Sequence, residues 1–385
     1  MYNLLKHFSF LLLSIGVIFS TFAQHQHDRE IVFPDVPGFK TLKCDFHQHA
    51  IFSDGKVYPS IRVEEAIKDG LDAISITEHL EYQPHKVDIP HPDRNRAYQI
   101  ALETKKSMKD TTLIITNGSE ITRKMPPGHS NAIFIKDANL LLKDSVIDVF
   151  REAKKQGAFI FWNHPHWKGQ VNDGVAKLTD MHEQLIKEKL INGIEIVNEH
   201  IYSTEALEIA LANNLTFIGA SDVHGLIDWE YDVHKGGHRP ITLVFAKEKS
   251  EEGIKAALFE GSTAIWFNNT LIGKQEFLQP LINASLEIKK AKYLKANWSQ
   301  HKKLLTILEV TIQNNSDAEY ILENTSDYLL HNNADIVTIA SQHKTIIQVK
   351  TLDQKESINL SFNVLNAVIA PKKHAKIQIR IVVDK

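Results

Sequence analysis

The 385-residue chain is 43% hydrophobic and 24% charged, the composition of a folded globular protein rather than a disordered, collagenous or coiled-coil one. A formal net charge of −3 supplies no global basic field, which argues against a nucleic-acid duplex as partner. One cysteine, Cys44, excludes an internal disulfide framework and a multi-cysteine zinc site, whereas 20 histidines are a large stock of metal ligands and proton carriers.

The chain opens with an address. Lys6 and His7 precede an uncharged run of 15 residues, Phe8–Phe22, and Thr21-Phe22-Ala23 places small residues at −3 and −1 before Gln24. This is the pattern of a secretory signal peptide, and the run is shorter than the roughly 20 apolar residues that span a bilayer. Residues 1–23 are therefore expected to be removed, giving an exported protein, periplasmic or secreted, without a membrane anchor. Residues 24–39 read as an N-terminal extension.

From residue 40 to 284 short apolar runs alternate with helical patterns. Thr41–Phe46, Ala73–Thr77, Leu113–Thr116, Ala132–Ile135, Ala158–Phe161, Gly193–Val197, Phe217–Ala220 and Ile241–Ala246 read as strands. Helical patterns fall between most of them, with Asp180 and Glu183 as a capping-box-like start to one. Such alternation argues for parallel strands with crossover helices, closed into a barrel. Gln275–Ala284 reads as a connecting helix. From residue 285 to 385 the period changes to two: Leu308, Val310 and Ile312, then Ile358, Leu360, Phe362 and Val364, then Ile377, Ile379 and Ile381 alternate with polar residues. Strands with one buried face and no helices between them predict a small antiparallel β-sandwich.

The chemistry gathers at strand ends. Asp45-Phe46-His47-Gln48-His49 closes the first strand, and residues two apart on a strand project to one side, so His47 and His49 can grip one ion. Asp54 follows on the loop. Thr77-Glu78-His79, Gly118-Ser119-Glu120, Asn163-His164-Pro165 and Ser221-Asp222-Val223-His224 mark later strand ends, and Gly128-His129 enters the fourth strand. In a barrel the C-terminal rim of the strands carries the active site. Imidazoles mixed with carboxylates suit Zn, Mn or Fe, and this many donors, at about four per ion, provide for two or three divalent ions. Arg123, Lys124 and Arg239 are candidate phosphate-binding cations. His166 is a candidate proton donor to a leaving oxygen. Trp162, Trp167 and Trp229 flank the motifs. The Pro-rich insertion Leu80–Asn95, with Tyr82, His85 and His91, reads as a loop over the site.

Taken together, Asp45-Phe46-His47-Gln48-His49, Ser53-Asp54-Gly55, Thr77-Glu78-His79, Glu120, His129, Asn163-His164-Pro165 and Ser221-Asp222-Val223-His224 resemble the successive motifs of the PHP (polymerase and histidinol phosphatase) family over about residues 40–270. Glu78 departs from that family's usual Asp, at a position not expected to be a ligand. The resemblance implies a distorted seven-stranded (βα) barrel with a trinuclear metal centre. It implies a first ion on His47, His49, Glu120 and Asp222, a second on Asp54, His79 and His224, and a third on Glu120, His129 and His164. The C-terminal segment resembles the extra β domain of some secreted phosphodiesterase-like relatives.

Two ions about 3.5–4 Å apart that share a hydroxide can clamp both the attacking and the leaving oxygen of a phosphoryl transfer. The expectation is thus a metal-dependent phosphoesterase acting on small organic phosphate esters, with a phosphodiester or nucleotide preferred. Alternatives are a phosphomonoesterase of the histidinol-phosphatase type, a metal-dependent amidohydrolase and a non-catalytic metal-binding module. The amidohydrolase is disfavoured because no lysine stands at a strand end to form a bridging carbamate.

Overall fold

The structure, a computed structural model, describes residues 29–294 and 306–384. The expected leader at 1–23 lies outside the described residues. Among those described, no helix is long and apolar enough to cross a membrane.

The first part of the chain contains strands β1 (Lys40–Asp45), β2 (Ala73–Ile76), β3 (Ile114–Ile121), β4 (Ser130–Ile133), β5 (Phe159–Trp162), β6 (Gly193–Asn198), β7 (Ile201–Tyr202), β8 (Thr216–Ala220), β9 (Ile241–Ala246), β10 (Thr263–Phe267) and β11 (Thr270–Gly273). Helices α1 (Pro59–Lys68), α2 (Arg96–Ser107), α3 (Val146–Lys155), α4 (Asp180–Lys187), α5 (Thr204–Asn213), α6 (Ile227–Glu230), α7 (Glu251–Glu260) and α8 (Gln275–Ser285) are interleaved with or follow them. β2, β5 and β8 are buried at every position, as expected for strands covered on both faces.

β1, β2 and β3 run parallel, as do β5, β6 and β8. β4 is antiparallel to both β3 and β5, so the two parallel sets share one direction. β9 is antiparallel to β1. These two reversals distort the barrel. β8 and β9 are joined through a side chain: Thr242 Oγ1 accepts from Gly219 N at 3.0 Å and donates to Gly219 O at 2.8 Å. The C-terminal ends of the parallel strands and the start of β4 consequently meet at one rim.

Helix α4 is capped differently from the expectation. Thr179 is the N-cap, and its reciprocal partner is His182, whose Nδ1 accepts from Thr179 N at 3.2 Å. The imidazole nitrogen takes the acceptor role that a glutamate carboxylate usually plays.

Strands β12 (Leu286–Tyr293), β13 (Thr306–Asn314), β14 (Tyr320–Asn324), β15 (Leu329–Leu330), β16 (Ile336–Ile339), β17 (Lys344–Thr351), β18 (Ser357–Ala370) and β19 (Lys373–Val382) follow α8. One sheet is ordered β12-β13-β17-β15. The other joins β16, β14, β18 and β19 and continues into the barrel sheet, because β18 pairs in parallel with β11 through Leu271↔Ala367 and Ile272↔Val368. A single apolar core runs from Ile74 and Ile241 through Leu278, Leu281 and Ile282 of α8 to Val310, Leu360 and Ile377. The N-terminal extension staples the two parts: Phe33 packs edge-on to Trp266 at 5.2 Å, and Asp317 N donates to Val32 O at 3.0 Å.

Candidate metal centre

At the rim, the sequence after β1 turns back on itself. Ser53 N and Gly55 N both donate to Ala50 O, at 3.1 and 3.0 Å. A Cβ on Gly55 would lie 2.7 Å from Ala50 N and His49 C, so this turn requires glycine and delivers Asp54 towards His49. Arg62 of α1, fully buried, donates through Nε to His49 O at 2.8 Å and through Nη2 to Val223 O at 3.2 Å. It thereby fixes the ligand-bearing ends of β1 and β8 together. Asp45 accepts from Ser221 N at 3.1 Å and from Ser221 Oγ at 2.6 Å, a second tie between the same ends.

His47, His49, Asp54, His79, Glu120, His129, His164, Asp222 and His224 are brought to one place. Glu120 stands at the centre. Its Oε1 is 3.0 Å from His129 Nδ1, 3.2 Å from His164 Nε2 and 3.6 Å from His47 Nε2. Its Oε2 is 2.5 Å from His79 Nδ1 and 3.6 Å from His49 Nε2. Asp222 Oδ1 lies 3.1 Å from His47 Nε2 and 3.0 Å from His49 Nε2. Asp54 reaches His79 Nε2 at 3.3 Å and His224 Nε2 at 3.2 Å.

Among the described residues, three groups each bring their donor atoms within 4.8 Å of one another: His49, Asp54, His79 and His224; His47, His49 and Glu120; and His79, Glu120 and His129. The grouping differs in detail from the one the family resemblance implies. His49, His79 and Glu120 each belong to two groups, whereas His164 lies beside the third, 3.2 Å from Glu120 and with its ring 5.1 Å from that of His129.

The surroundings fix which nitrogens carry lone pairs. His47 Nδ1 is held by Glu195 Oε1 at 2.7 Å, and His49 Nδ1 by Ser53 Oγ at 3.2 Å. Their Nε2 atoms then face each other at 3.1 Å. Two imidazole lone pairs directed at one point require a cation between them, as a shared proton or as a metal. His224 Nδ1 donates to Asp222 O at 2.7 Å, which turns its Nε2 towards Asp54. Orienting partners of this kind accompany metal-ligating histidines, and the donor set suits divalent ions.

The carboxylates and imidazoles of the cluster shift one another's titration. Burial disfavours a charged His79, but Glu120 and Asp54 outweigh it and push this group up to about 10. Burial likewise opposes charge on His224, which Asp54 and Asp222 nevertheless hold at about 9. His49, buried beside His224 and His79, is pushed down to about 3. Burial would raise Asp54, but hydrogen bonds from His224 and His79 hold it well below the carboxylate range. Asp222 and His164 adopt left-handed backbone, φ 49° and 27°, a conformation costly for residues with a Cβ and placed at ligand positions.

Sequence reasoning missed Glu195, Asn198 and Arg62. Glu195 is wholly buried on β6 and holds two candidate ligands, accepting from His164 N at 2.7 Å through the oxygen not used by His47. Asn198 Nδ2 bridges Glu195 Oε2 at 2.9 Å and Asp222 Oδ2 at 3.1 Å. The signal was a glutamate inside the otherwise apolar run Gly193–Val197. Glu78 is buried as well and accepts from Ser53 Oγ; burial pushes it up to about 8 despite that bond.

Three expected roles are not supported by position. Arg239 is fully buried between Asp69 and Asp45, with Nη2 2.6 Å from Asp69 Oδ2 and Nη1 3.1 Å from Asp45 Oδ2. Two carboxylates neutralise it, so it does not bind phosphate. Arg123 pairs with Glu81 at 2.9 Å and donates to the carbonyls of Lys143 and Asp144; it braces loops. His166 does not line the metal cavity, and burial followed by the neighbouring His164 pushes it down to about 4. Burial thus favours the neutral ring over the imidazolium that would act as the proton donor. Trp162 is buried and stacks on His182 at 3.9 Å. Trp167 does line the cavity, 5.6 Å from His129 and 5.3 Å from His164. His91 of the insertion anchors that loop to Phe52 O and Ile89 O.

A crystal structure of a two-domain protein from Bacteroides vulgatus containing a predicted PHP-like metal-dependent phosphoesterase is 41% identical to this chain. It matches 91% of this chain and 98% of its own length with a TM-score of 0.82. The chain belongs to this PHP-like family. The profile of an Ig-like domain family matches residues 286–380, the antiparallel part after α8. A metal-dependent phosphoesterase structure from Bifidobacterium adolescentis, described as putative, shares 17% identity over 48% of this chain and 88% of its own, with a TM-score of 0.36. PsfC from Pseudomonas syringae shares 17% over 60% and 92%, with a TM-score of 0.40. No curated protein matches.

Proposed function

We propose that this PHP-like protein is a metal-dependent phosphoesterase that prefers a phosphodiester or nucleotide to a simple phosphomonoester. The observation that carries the reading is the central Glu120, whose two oxygens face two different sets of imidazoles, with His47, His129 and His164 on one side and His49 and His79 on the other. A carboxylate so placed would serve neighbouring ions. His47, His49 and Asp222 would share the first with it, Asp54, His79 and His224 would hold the second, and His129 and His164 the third. Bound there, divalent ions supply Lewis acidity, neutralise phosphoryl oxygens and lower the pKa of water towards 7.

The protein's own groups set the rest. Asn163 Nδ2 donates to Glu120 Oε1 at 2.9 Å and orients it. Glu195, Ser53 and the Asp222 carbonyl hold the Nδ1 edges of His47, His49 and His224. Trp167 offers an apolar surface beside His129 and His164 for an organic substituent. Among the described residues, no Lys or Arg lines the metal cavity. A monoanionic diester demands less added positive charge than a dianionic monoester, which supports the diester preference.

The test is kcat/KM for a bis-aryl phosphate against the matched aryl phosphate, in protein loaded with Zn or Mn, with a dipeptide as a third substrate. A higher value for the diester is expected. A monoester preference overturns the substrate choice, and dipeptide hydrolysis or no turnover by loaded protein overturns the class. Export through residues 1–23 belongs to the same reading, since it places the enzyme among scavenged organic phosphates. Mass spectrometry of the exported chain should find Gln24 first; an intact Met1 there overturns export by cleavage.

A further inference from the structure

We infer that a second chamber beside the metal cavity binds the alcohol portion of the substrate, and that this portion is a neutral polyol carrying a vicinal diol, such as a sugar or the ribose of a nucleoside. The inference rests on the phosphoesterase reading for the meaning of "substrate". The side chains that would hold the polyol, Glu199, Lys56 and His200, lie outside the ligand cluster.

The chamber has a volume of about 330 Å³ and is lined by Lys56, Glu199, His200, His224, Glu230 and Tyr231. This is within the roughly 300–1,000 Å³ usual for small-molecule sites. Glu199 and His224 also line the metal cavity, of about 190 Å³, so the two spaces adjoin across these residues. A phosphoryl group at the cluster thus has an alcohol side that enters the chamber past His224.

The walls are built onto the ligand loop. Lys56 N donates to His224 O at 2.7 Å, and Glu199 N donates to Ala220 O at 3.2 Å. Tyr231 forms a buried wall, its hydroxyl donating to Ser221 O at 2.6 Å, and His200 lies against its ring at 4.8 Å. Glu230 is committed, accepting from Gly225 N at 2.5 Å and His224 N at 3.3 Å.

What remains for a ligand is the Glu199 carboxylate, the Lys56 ammonium and the His200 ring, all three on solvent-exposed residues at the chamber's open side. Neither Glu199 nor Lys56 has a side-chain hydrogen-bond or ion-pair partner among the described residues. Glu199 also holds left-handed backbone at φ 50°, a strained conformation of the kind kept at functional positions. The Lys56 ammonium disfavours a cationic alcohol, and the Glu199 and Glu230 carboxylates of the lining disfavour an anionic one. A carboxylate accepting from two adjacent hydroxyls is the chemistry by which acidic residues hold ribose, with Lys56 and His200 as further partners for hydroxyl oxygens.

The experiment compares ribose 5-phosphate with its 2,3-dideoxy counterpart in metal-loaded wild type, Glu199→Ala and Lys56→Ala, with metal content checked by elemental analysis. It also records saturation-transfer NMR of methyl β-D-ribofuranoside, which needs no turnover. Wild type should favour the diol by about tenfold or more in kcat/KM. Glu199→Ala should bring the ratio near one, and Lys56→Ala should lower it. The riboside should show saturation transfer in wild type and none in Glu199→Ala. A wild-type ratio near one, or an unchanged ratio in Glu199→Ala at full metal content, overturns the inference. If no phosphate ester is turned over, the functional reading fails and the NMR decides the chamber. Saturation transfer to the riboside in wild type that disappears in Glu199→Ala upholds it, and its absence in wild type overturns it.

Discussion

Glu195 Oε1 lies 2.7 Å from His47 Nδ1, while the other oxygen of the same carboxylate accepts from His164 N at 2.7 Å. One buried side chain on β6 therefore orients candidate ligands from the ends of β1 and β5. Loss of an orienting partner of this kind typically costs about 10–100-fold in metal affinity. Glu195→Gln, which keeps the shape but removes the charge, should weaken metal binding by that order in a competitive chelator titration. An unchanged affinity would show that His47 needs no such partner.

Glu120→Gln replaces the central carboxylate with an amide that presents a donor to imidazole nitrogens. Metal content and activity should both collapse while the far-ultraviolet circular dichroism stays that of wild type. Undiminished metal by elemental analysis would remove Glu120 from its bridging position.

Asp54 joins only the group formed with His49, His79 and His224. Asp54→Ala should therefore lower the metal stoichiometry by about one ion per chain and leave the His47–Glu120–Asp222 ion in place. Loss of all metal would mean that the ions bind as one cooperative unit.

His182 links pH to stability away from the ligands. Its Nε2–H donates to Pro127 O at 2.7 Å and its Nδ1 accepts from Thr179 N at 3.2 Å, so the neutral ring is the form that fits. Burial pushes it down to about 4, although the Pro127 carbonyl opposes this. Between about pH 6.5, the ordinary imidazole value, and pH 4, the unfolded chain takes up a proton that the folded chain refuses. The contribution is present above pH 6.5 and is lost as pH falls to 4, on the order of 3 kcal/mol. Urea titrations at pH 7 and 4.5 should show a larger loss in wild type than in His182→Gln; equal losses would exclude His182 as the source.

The antiparallel domain is joined to the barrel by the β11–β18 pairing and by a shared core. Calorimetry should give one cooperative unfolding transition rather than two, and protease should spare Leu286–Tyr293, which pairs with β13. Two separated transitions would mean that the shared sheet contributes little.

Much of the site was legible because chemistry and period coincide. Histidines and carboxylates sit at the ends of apolar runs, and a strand end is a place that a linear pattern can mark. The period change after residue 285 was legible for the same reason, since one-sided burial writes itself as alternation. Glu195 was hard to see because a single buried acid in an apolar strand has no period, and its meaning lies in His47, 148 residues away. Arg239 misled because a cation beside a strand end looks alike whether it meets substrate or two buried carboxylates. Only the packing of Asp45 and Asp69 around it decided which. The grouping of nine candidate ligands, the reversal of β4 and β9, and the sheet shared by both domains were likewise settled by tertiary structure. Each depends on distances between segments remote in sequence, which local propensity and spacing do not encode.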